Sequence, residues 1–136
     1  MDRFRLDNKV IIVTGGAGNY GRPISEALAE AGALVVIASR DIGKCRQFAA
    51  ELKERNFKAE GMELDQGDEA SIRSFTEEVI KKHKVIDVLV NNAGISQRSL
   101  AIETVFAVYQ RMIAVDLLGP IALTQALLPR MVQAGG

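Results

Sequence analysis

The segment that most constrains this chain is residues 9–31, where a short apolar run ends in a cluster of glycines and a helical pattern begins. Residues 9–14, KVIIVT, are almost unbroken in their apolar character, as expected of a parallel strand covered on both faces. Gly15, Gly16, Gly18 and Gly21 follow. Ile24, Ala27, Leu28 and Ala31 then recur at helical spacing until Gly32 stops the pattern. A strand, a glycine turn and a helix in that order form the opening of a β-α-β unit.

The alternation continues along the chain. Residues 33–38 predict a second strand, and Asp41 is placed to cap a helix with Ile42, Cys45, Phe48, Ala49 and Leu52 on one face. A third strand over residues 59–64 leads through Asp65 to a helix from Asp68 carrying Ile72, Phe75 and Val79, and a fourth strand covers residues 86–90. After a loop at 91–104, the apolar segment 105–131 reads as one helix disturbed at Gly119-Pro120. This pattern predicts an α/β fold: a Rossmann-like, doubly wound parallel sheet of four strands in the order 3-2-1-4, with helices on both faces. Cys45 reads as a small core residue. His83 reads as a surface residue at the end of the third helix, where a protonated ring suits the dipole.

At 136 residues and 48% apolar content the chain predicts one domain, residues 1–136, with a continuous core. Seventeen basic and seventeen acidic residues cancel, so charge gives no reason to invoke nucleic acid or a membrane surface. The charged N-terminus has no signal-type apolar stretch, and the chain reads as soluble and cytoplasmic. A lone Cys45 and a lone His83 leave no internal disulfide and no zinc cluster.

In a sheet of this kind, ligands bind outside the carboxyl ends of the strands. Four pieces of sequence converge there: Thr14 to Gly21, Ser39-Arg40, Asp65, and Asn91-Asn92-Ala93-Gly94. Free N–H groups at the start of the first helix suit a pyrophosphate, provided no side chain blocks its approach. Gly15 is expected to make the turn, Gly18 to admit the phosphates and Gly21 to let the helix close on the sheet. Gly16 supplies a literal G-x-G-x-x-G match. Ser39 and Arg40 suit a ribose 2′-phosphate, because a guanidinium binds phosphate bidentately; Asp41 competes, either as a helix cap or as an acid for the ribose hydroxyl.

With these residues assembled, the chain resembles the short-chain dehydrogenase/reductase family over its whole length. The resemblance rests on Thr14-Gly15 through Gly18 and Gly21, Asp65, Asn91 to Gly94, and the run from Val115 through Asp116, Gly119-Pro120 and Thr124 to Pro129. It implies an NAD(P)-binding Rossmann domain with Asn19 and Tyr20 in the phosphate loop; within it, Ser39-Arg40 lead to the expectation of NADP(H) preferred over NAD(H). It also implies Asp65 and Asn92-Ala93 around the adenine, and Asn91 bracing the end of the fourth strand. Asn19 departs from the glycine usual in single-domain members; the spacing here, TG-x2-G-x2-G, is that of epimerase-type members. Asn tolerates left-handed geometry, which makes the change cheap. Asp116 stands where an asparagine is common and is the one candidate catalytic residue in the chain.

The resemblance further implies hydride transfer between the nicotinamide and a small carbonyl or alcohol, with a tyrosine and a lysine four residues later as the acid/base pair. Of the two tyrosines, Tyr20 is followed at that distance by Ile24 and Tyr109 by Ile113. The chain therefore reads as the cofactor-binding half of a short-chain oxidoreductase, truncated before the catalytic serine and Tyr-x3-Lys, with residues 131–136 as the loop onward. A catalytically silent nucleotide-binding module and an epimerase-type member are the alternatives. The fourth strand should form an open edge and the long helix should lack neighbours, so a homo-oligomer or completion by another chain is expected. Pro120, with no N–H, is expected to free the carbonyl of Asp116 for a water.

Overall fold

The computed structural model describes residues 2–135. In chain order it contains β1 (Val10–Thr14), α1 (Gly21–Glu30), β2 (Leu34–Ser39), α2 (Ile42–Glu54), β3 (Lys58–Glu63), α3 (Glu69–His83) and β4 (Val88–Val90). One long helix follows in three parts: α4 (Phe106–Ile113), a π-helical segment (Ala114–Leu118) and α5 (Gly119–Gln133). The sheet order is β3-β2-β1-β4 and every pairing is parallel. Gly136, the last residue of the expected onward loop, lies outside the described residues.

Side chains alternate along the central strands β1 and β2, and both of their faces are covered, which explains why these two show no polar face. Ile11, Val13, Val35 and Ile37 pack with Ala29 of α1 and with Cys45, Phe48 and Leu52 of α2. Ile12, Val36 and Ala38 face the other way, onto Ile72, Phe75 and Val79 of α3 and Leu123 and Leu127 of α5. The central strands are thus buried on both sides, and they carry the polar ends of their loops to one edge.

Three expectations are corrected. The fourth strand begins at Val88 instead of residue 86; just ahead of it the Asp87 carboxylate takes the Val10 N–H at 2.8 Å while the Asp87 N–H donates to the Val10 carbonyl at 2.9 Å. Ile86 remains in the core. His83 does end α3, but its side chain is only 10% exposed. Its Nε2 meets the Glu60 carboxylate on the edge strand β3, which Lys82 also contacts. Burial works against the charged Glu60, yet its contacts with Lys82 and His83 hold its pKa below the usual carboxylate range.

The third correction concerns the long helix, which is disturbed from Ala114 onward, ahead of Gly119-Pro120. The Gly119 N–H reaches back to the carbonyl of Ala114, so the chain carries one extra residue in that turn. Pro120 then has no N–H to offer to Val115 or Asp116. The carbonyl served from outside the helix is that of Val115, which accepts a 2.9 Å hydrogen bond from the buried Gln66 Nε2. The whole helix, Phe106–Gln133, is long and apolar enough to cross a membrane by length and composition. Here Leu123 and Leu127 are fully buried in the core, while Ile113, Leu117, Leu118, Leu128 and Val132 are exposed.

Candidate functional site

The carboxyl ends of the four strands surround an open cavity of about 440 Å³. Its first wall is the turn after β1. Gly15 sits at φ +62°, where an added Cβ would lie 3.0 Å from the Ala93 backbone, so only glycine fits without strain. An added Cβ at Gly21 would lie 1.9 Å from the Gly15 carbonyl oxygen. Gly21 therefore closes the helix onto the turn itself, a refinement of its expected role against the sheet. At Gly18 the same test meets only that carbonyl, at 3.2 Å, and the residue is open to the cavity.

Asn19 is not in the left-handed region, which among non-glycine residues holds Asn8, Asn56 and Lys84. Its place in the loop therefore draws on no tolerance of left-handed backbone. α1 starts at Tyr20 without a side-chain cap and has no acidic residue in its first turn. Among the described residues the N–H groups of Asn19, Tyr20 and Gly21 take no partner. These unpaired donors and the positive end of α1 form an anion seat.

Thr14 lines the cavity and also ties β1 to the segment after β4. It is fully buried, and its hydroxyl accepts the N–H groups of Asn92 and Ala93, both at 3.0 Å. The Asn92 amide donates to the carbonyls of Thr14 (3.0 Å) and Gly15 (3.4 Å). These side chains knit β1 to the segment after β4, and Asn92, Ala93 and Gly94 border the cavity together with Thr14 and Gly15. Asn91 points elsewhere, donating to Thr124 Oγ1 at 3.2 Å, and is not part of the lining.

At the end of β2, Ser39 Oγ lies 3.0 Å from the buried Cys45 Sγ. Burial pushes the Cys45 thiol up, ahead of the opposing effect of its contacts with Ser39. Asp41 is a helix cap: its Oδ1 accepts the Lys44 N–H at 3.0 Å. Arg40 is exposed, lines the cavity and has no hydrogen-bond or ion-pair partner among the described residues. The site thus presents an unpaired guanidinium, while the competing acid is engaged elsewhere.

Asp65, beyond β3, is held by groups that sequence reasoning missed. Its Oδ1 accepts the Gly67 N–H at 2.9 Å, and Arg111 Nη2 on α4 reaches Oδ1 at 2.9 Å and Oδ2 at 3.1 Å. Partial burial raises the pKa of Asp65, but the Gly67 N–H, Arg111 and the nearby Arg40 charge outweigh it and lower the pKa. Gln66, next along, is buried; its Nε2 faces the Val115 carbonyl, and its Oε1 has no partner among the described residues. A signal for Arg111 was available: it and Asp116 are the charged residues of the apolar stretch 105–129, and an isolated charge there asks for a partner. Asp116 does not line the cavity. Its Oδ1 accepts the Ile95 N–H at 2.8 Å, behind the loop that follows Gly94.

The sequence matches the short chain dehydrogenase family over residues 9–136. The chain belongs to the short-chain dehydrogenase family. Against an uncharacterized oxidoreductase of Bacillus subtilis, YxbG, it is 32% identical over 133 residues, covering 97% of this chain and 49% of that protein. Against the 3-oxoacyl-(acyl-carrier-protein) reductase FabG of Aquifex aeolicus it is 34% identical over 130 residues, covering 95% and 52%. A metagenomic short-chain oxidoreductase solved in complex with NADP superposes with a TM-score of 0.89 at 33% identity, over 95% of this chain and 59% of that one. For a gluconate 5-dehydrogenase from Burkholderia cenocepacia in complex with NADP and tartrate the TM-score is 0.90 at 32% identity, covering 98% and 52%. The chain spans about half the length of the curated relatives it matches. For a family member, the cavity lies where a dinucleotide-binding sheet is expected to hold its ligand.

Proposed function

We propose that this chain, residues 1–136, is the dinucleotide-binding domain of a cytoplasmic short-chain oxidoreductase that prefers NADP(H) and interconverts a carbonyl and an alcohol. The observation that carries the reading is the unpaired Arg40 guanidinium on the same cavity as the uncapped start of α1. A phosphate that meets free N–H groups at one end and a second phosphate that meets Arg40 at the other is the pattern of a 2′-phosphorylated dinucleotide. Two solved neighbours are NADP complexes, which supports the choice.

When bound, the nicotinamide supplies or receives the hydride. The chain's own residues do the holding. Gly18 leaves room for the diphosphate, and the N–H groups of Asn19, Tyr20 and Gly21 receive its charge. Ser39 and Arg40 take the 2′-phosphate, Asp65 takes the adenine amine, and Thr14 and Asn92 fix the facing wall. Asn91 braces the end of β4 through Thr124. Asp116 orients the loop 95–100, which forms one side of the substrate space, through its bond to Ile95. A second reading is a nucleotide-binding module without chemistry, which would hold the dinucleotide through the same residues.

Titration with NADPH and NADH tests the cofactor choice. NADPH should bind at least about tenfold tighter, and Arg40→Ala should remove most of that margin. Equal affinities, or a margin that survives the substitution, would defeat the assignment. Hydride transfer by the natural full-length protein separates the enzyme from the silent module. The exposed apolar residues of α4 and α5, together with the free edge of β4, support association with a second copy or completion by another chain. Sedimentation should then show a species larger than the monomer of residues 1–136; a clean, thermally robust monomer would refute it.

A further inference from the structure

We propose that Arg111 is a positioning residue that makes the β3 end of the cavity selective for a 6-aminopurine over a 6-oxopurine. The proposal rests on the dinucleotide reading above and adds a determinant of which base is accepted. Arg111 projects from α4 across the loop after β3, and its Nη2 contacts both oxygens of Asp65, at 2.9 and 3.1 Å. The two oxygens are not equivalent. Oδ1 carries the Gly67 N–H as well, at 2.9 Å, whereas Oδ2 carries only the longer Arg111 contact. An ionised carboxylate offers about four lone-pair sites, so the acceptor capacity left over lies mainly on Oδ2.

Two further observations show that the guanidinium has a defined seat. A Cβ added at Gly67 would lie 2.2 Å from Arg111 Nη1 and 2.9 Å from Val115 Cγ2. The space that any other residue would fill at 67 is therefore occupied by the guanidinium, against Val115. Arg111 also contributes, after the Gly67 N–H, to keeping Asp65 ionised against the cost of burial. An ionised, oriented carboxylate is an acceptor only. It receives an N–H of an exocyclic amine and repels the carbonyl oxygen of an oxopurine at the same position.

The test uses the natural full-length protein, titrated with NADPH and with its deaminated hypoxanthine analogue, both read by reduced-nicotinamide fluorescence. The parent should prefer NADPH by about tenfold or more, as expected for one charge-assisted hydrogen bond replaced by repulsion. Arg111→Met should reduce the preference to below about threefold by weakening NADPH binding, and Arg111→Lys, which restores a cation beside Asp65, should recover most of it. If the Met variant does not fold, Arg111→Gln is read the same way, with the same collapse expected. A preference unchanged in the Met or Gln variant, or an equal loss for both nucleotides, would overturn the proposal by reducing Arg111 to a structural latch. A parent that binds both nucleotides equally overturns it too, while leaving the dinucleotide site intact. Failure of the parent to bind either nucleotide would bring down the dinucleotide reading and this inference with it.

Discussion

Gly18 and Gly21 belong to one motif, yet the structure assigns them separable tasks, and substituting each by alanine should separate stability from binding. In Gly21→Ala the new methyl would stand 1.9 Å from the Gly15 carbonyl oxygen and 2.7 Å from both the Gly15 carbonyl carbon and Gly16 Cα. An unstrained carbon contact needs about 3.5 Å, so the first turn of α1 has to retreat by roughly 1.5 Å from backbone that is itself tied to β2. The anchoring bond is the Gly15 N–H to the Ala38 carbonyl, at 2.7 Å. Overpacking of this sort costs about 1–3 kcal/mol, and backbone on both sides puts this case at the upper end. At about 3 °C per kcal/mol for a domain of this size, the melting temperature should fall by about 10 °C.

Gly18→Ala meets a single atom within 4 Å, the Gly15 oxygen at 3.2 Å, and requires no left-handed backbone. The reduced freedom of the unfolded chain contributes about 0.4–1 kcal/mol in favour of alanine and offsets that contact. Stability should stay within about 1 kcal/mol of the parent, but the methyl then occupies the side on which a diphosphate approaches. Affinity for NADPH should drop at least about tenfold, or 1.4 kcal/mol. Thermal unfolding followed by circular dichroism and a nucleotide titration read the two effects independently. A Gly21→Ala protein that melts with the parent, or a Gly18→Ala protein that binds like it, would show that the division of labour is wrong.

Other expectations follow from groups beneath the site. Burial alone would raise the pKa of Asp87, but the Val10 N–H (2.8 Å) and Lys9 Nζ (2.9 Å) outweigh it and hold it down. A depressed carboxylate contributes stability that is present above its unfolded pKa and lost as the pH falls through its folded value, so acid titration should show the loss below about pH 4. Asp87→Asn should flatten that limb in urea melts at successive pH values; an unchanged slope would refute the link. Gln66→Leu removes the donor to the Val115 carbonyl, which Pro120 cannot replace, and should destabilise the fold by about 1–3 kcal/mol in denaturant melts. A neutral result would mean that this carbonyl finds another donor.

Much of the fold was legible because the sheet is covered on both faces. Residues 10–13 and 33–38 had to be apolar throughout, and such runs stand out between amphipathic helices. The strand ends were therefore located to within a residue or so, and with them the cavity lining at Gly15, Gly18, Ser39, Arg40, Asp65 and Asn92. Partners distant in sequence were not legible. His83 was placed at its helix end, but Glu60, 23 residues away on the edge strand, decides its environment. Likewise Arg111 stands out as an isolated charge in an apolar stretch, but the helical register of residues 105–113 does not identify Asp65, 46 residues earlier, as its partner.

The long helix shows why a local rule can be right and its consequence misplaced. Pro120 does deny the helix a donor, as any proline must. Which carbonyl takes a substitute depends on the register of the preceding turn, and in the π-helical segment the Gly119 N–H has already been drawn back to Ala114. That shift leaves Val115 turned toward the loop after β3, where the Gln66 amide lies 2.9 Å away. Gly119 permits the approach, since a Cβ there would lie 2.0 Å from the Gln66 carbonyl oxygen. Proline, glycine, glutamine and the wide turn are thus one arrangement that docks the Asp65 loop on the helix carrying Arg111 and Asp116. A proline read within its own helix exposes one part of this arrangement; the rest arises only when α3 and α5 pack and bring residue 66 beneath residue 115.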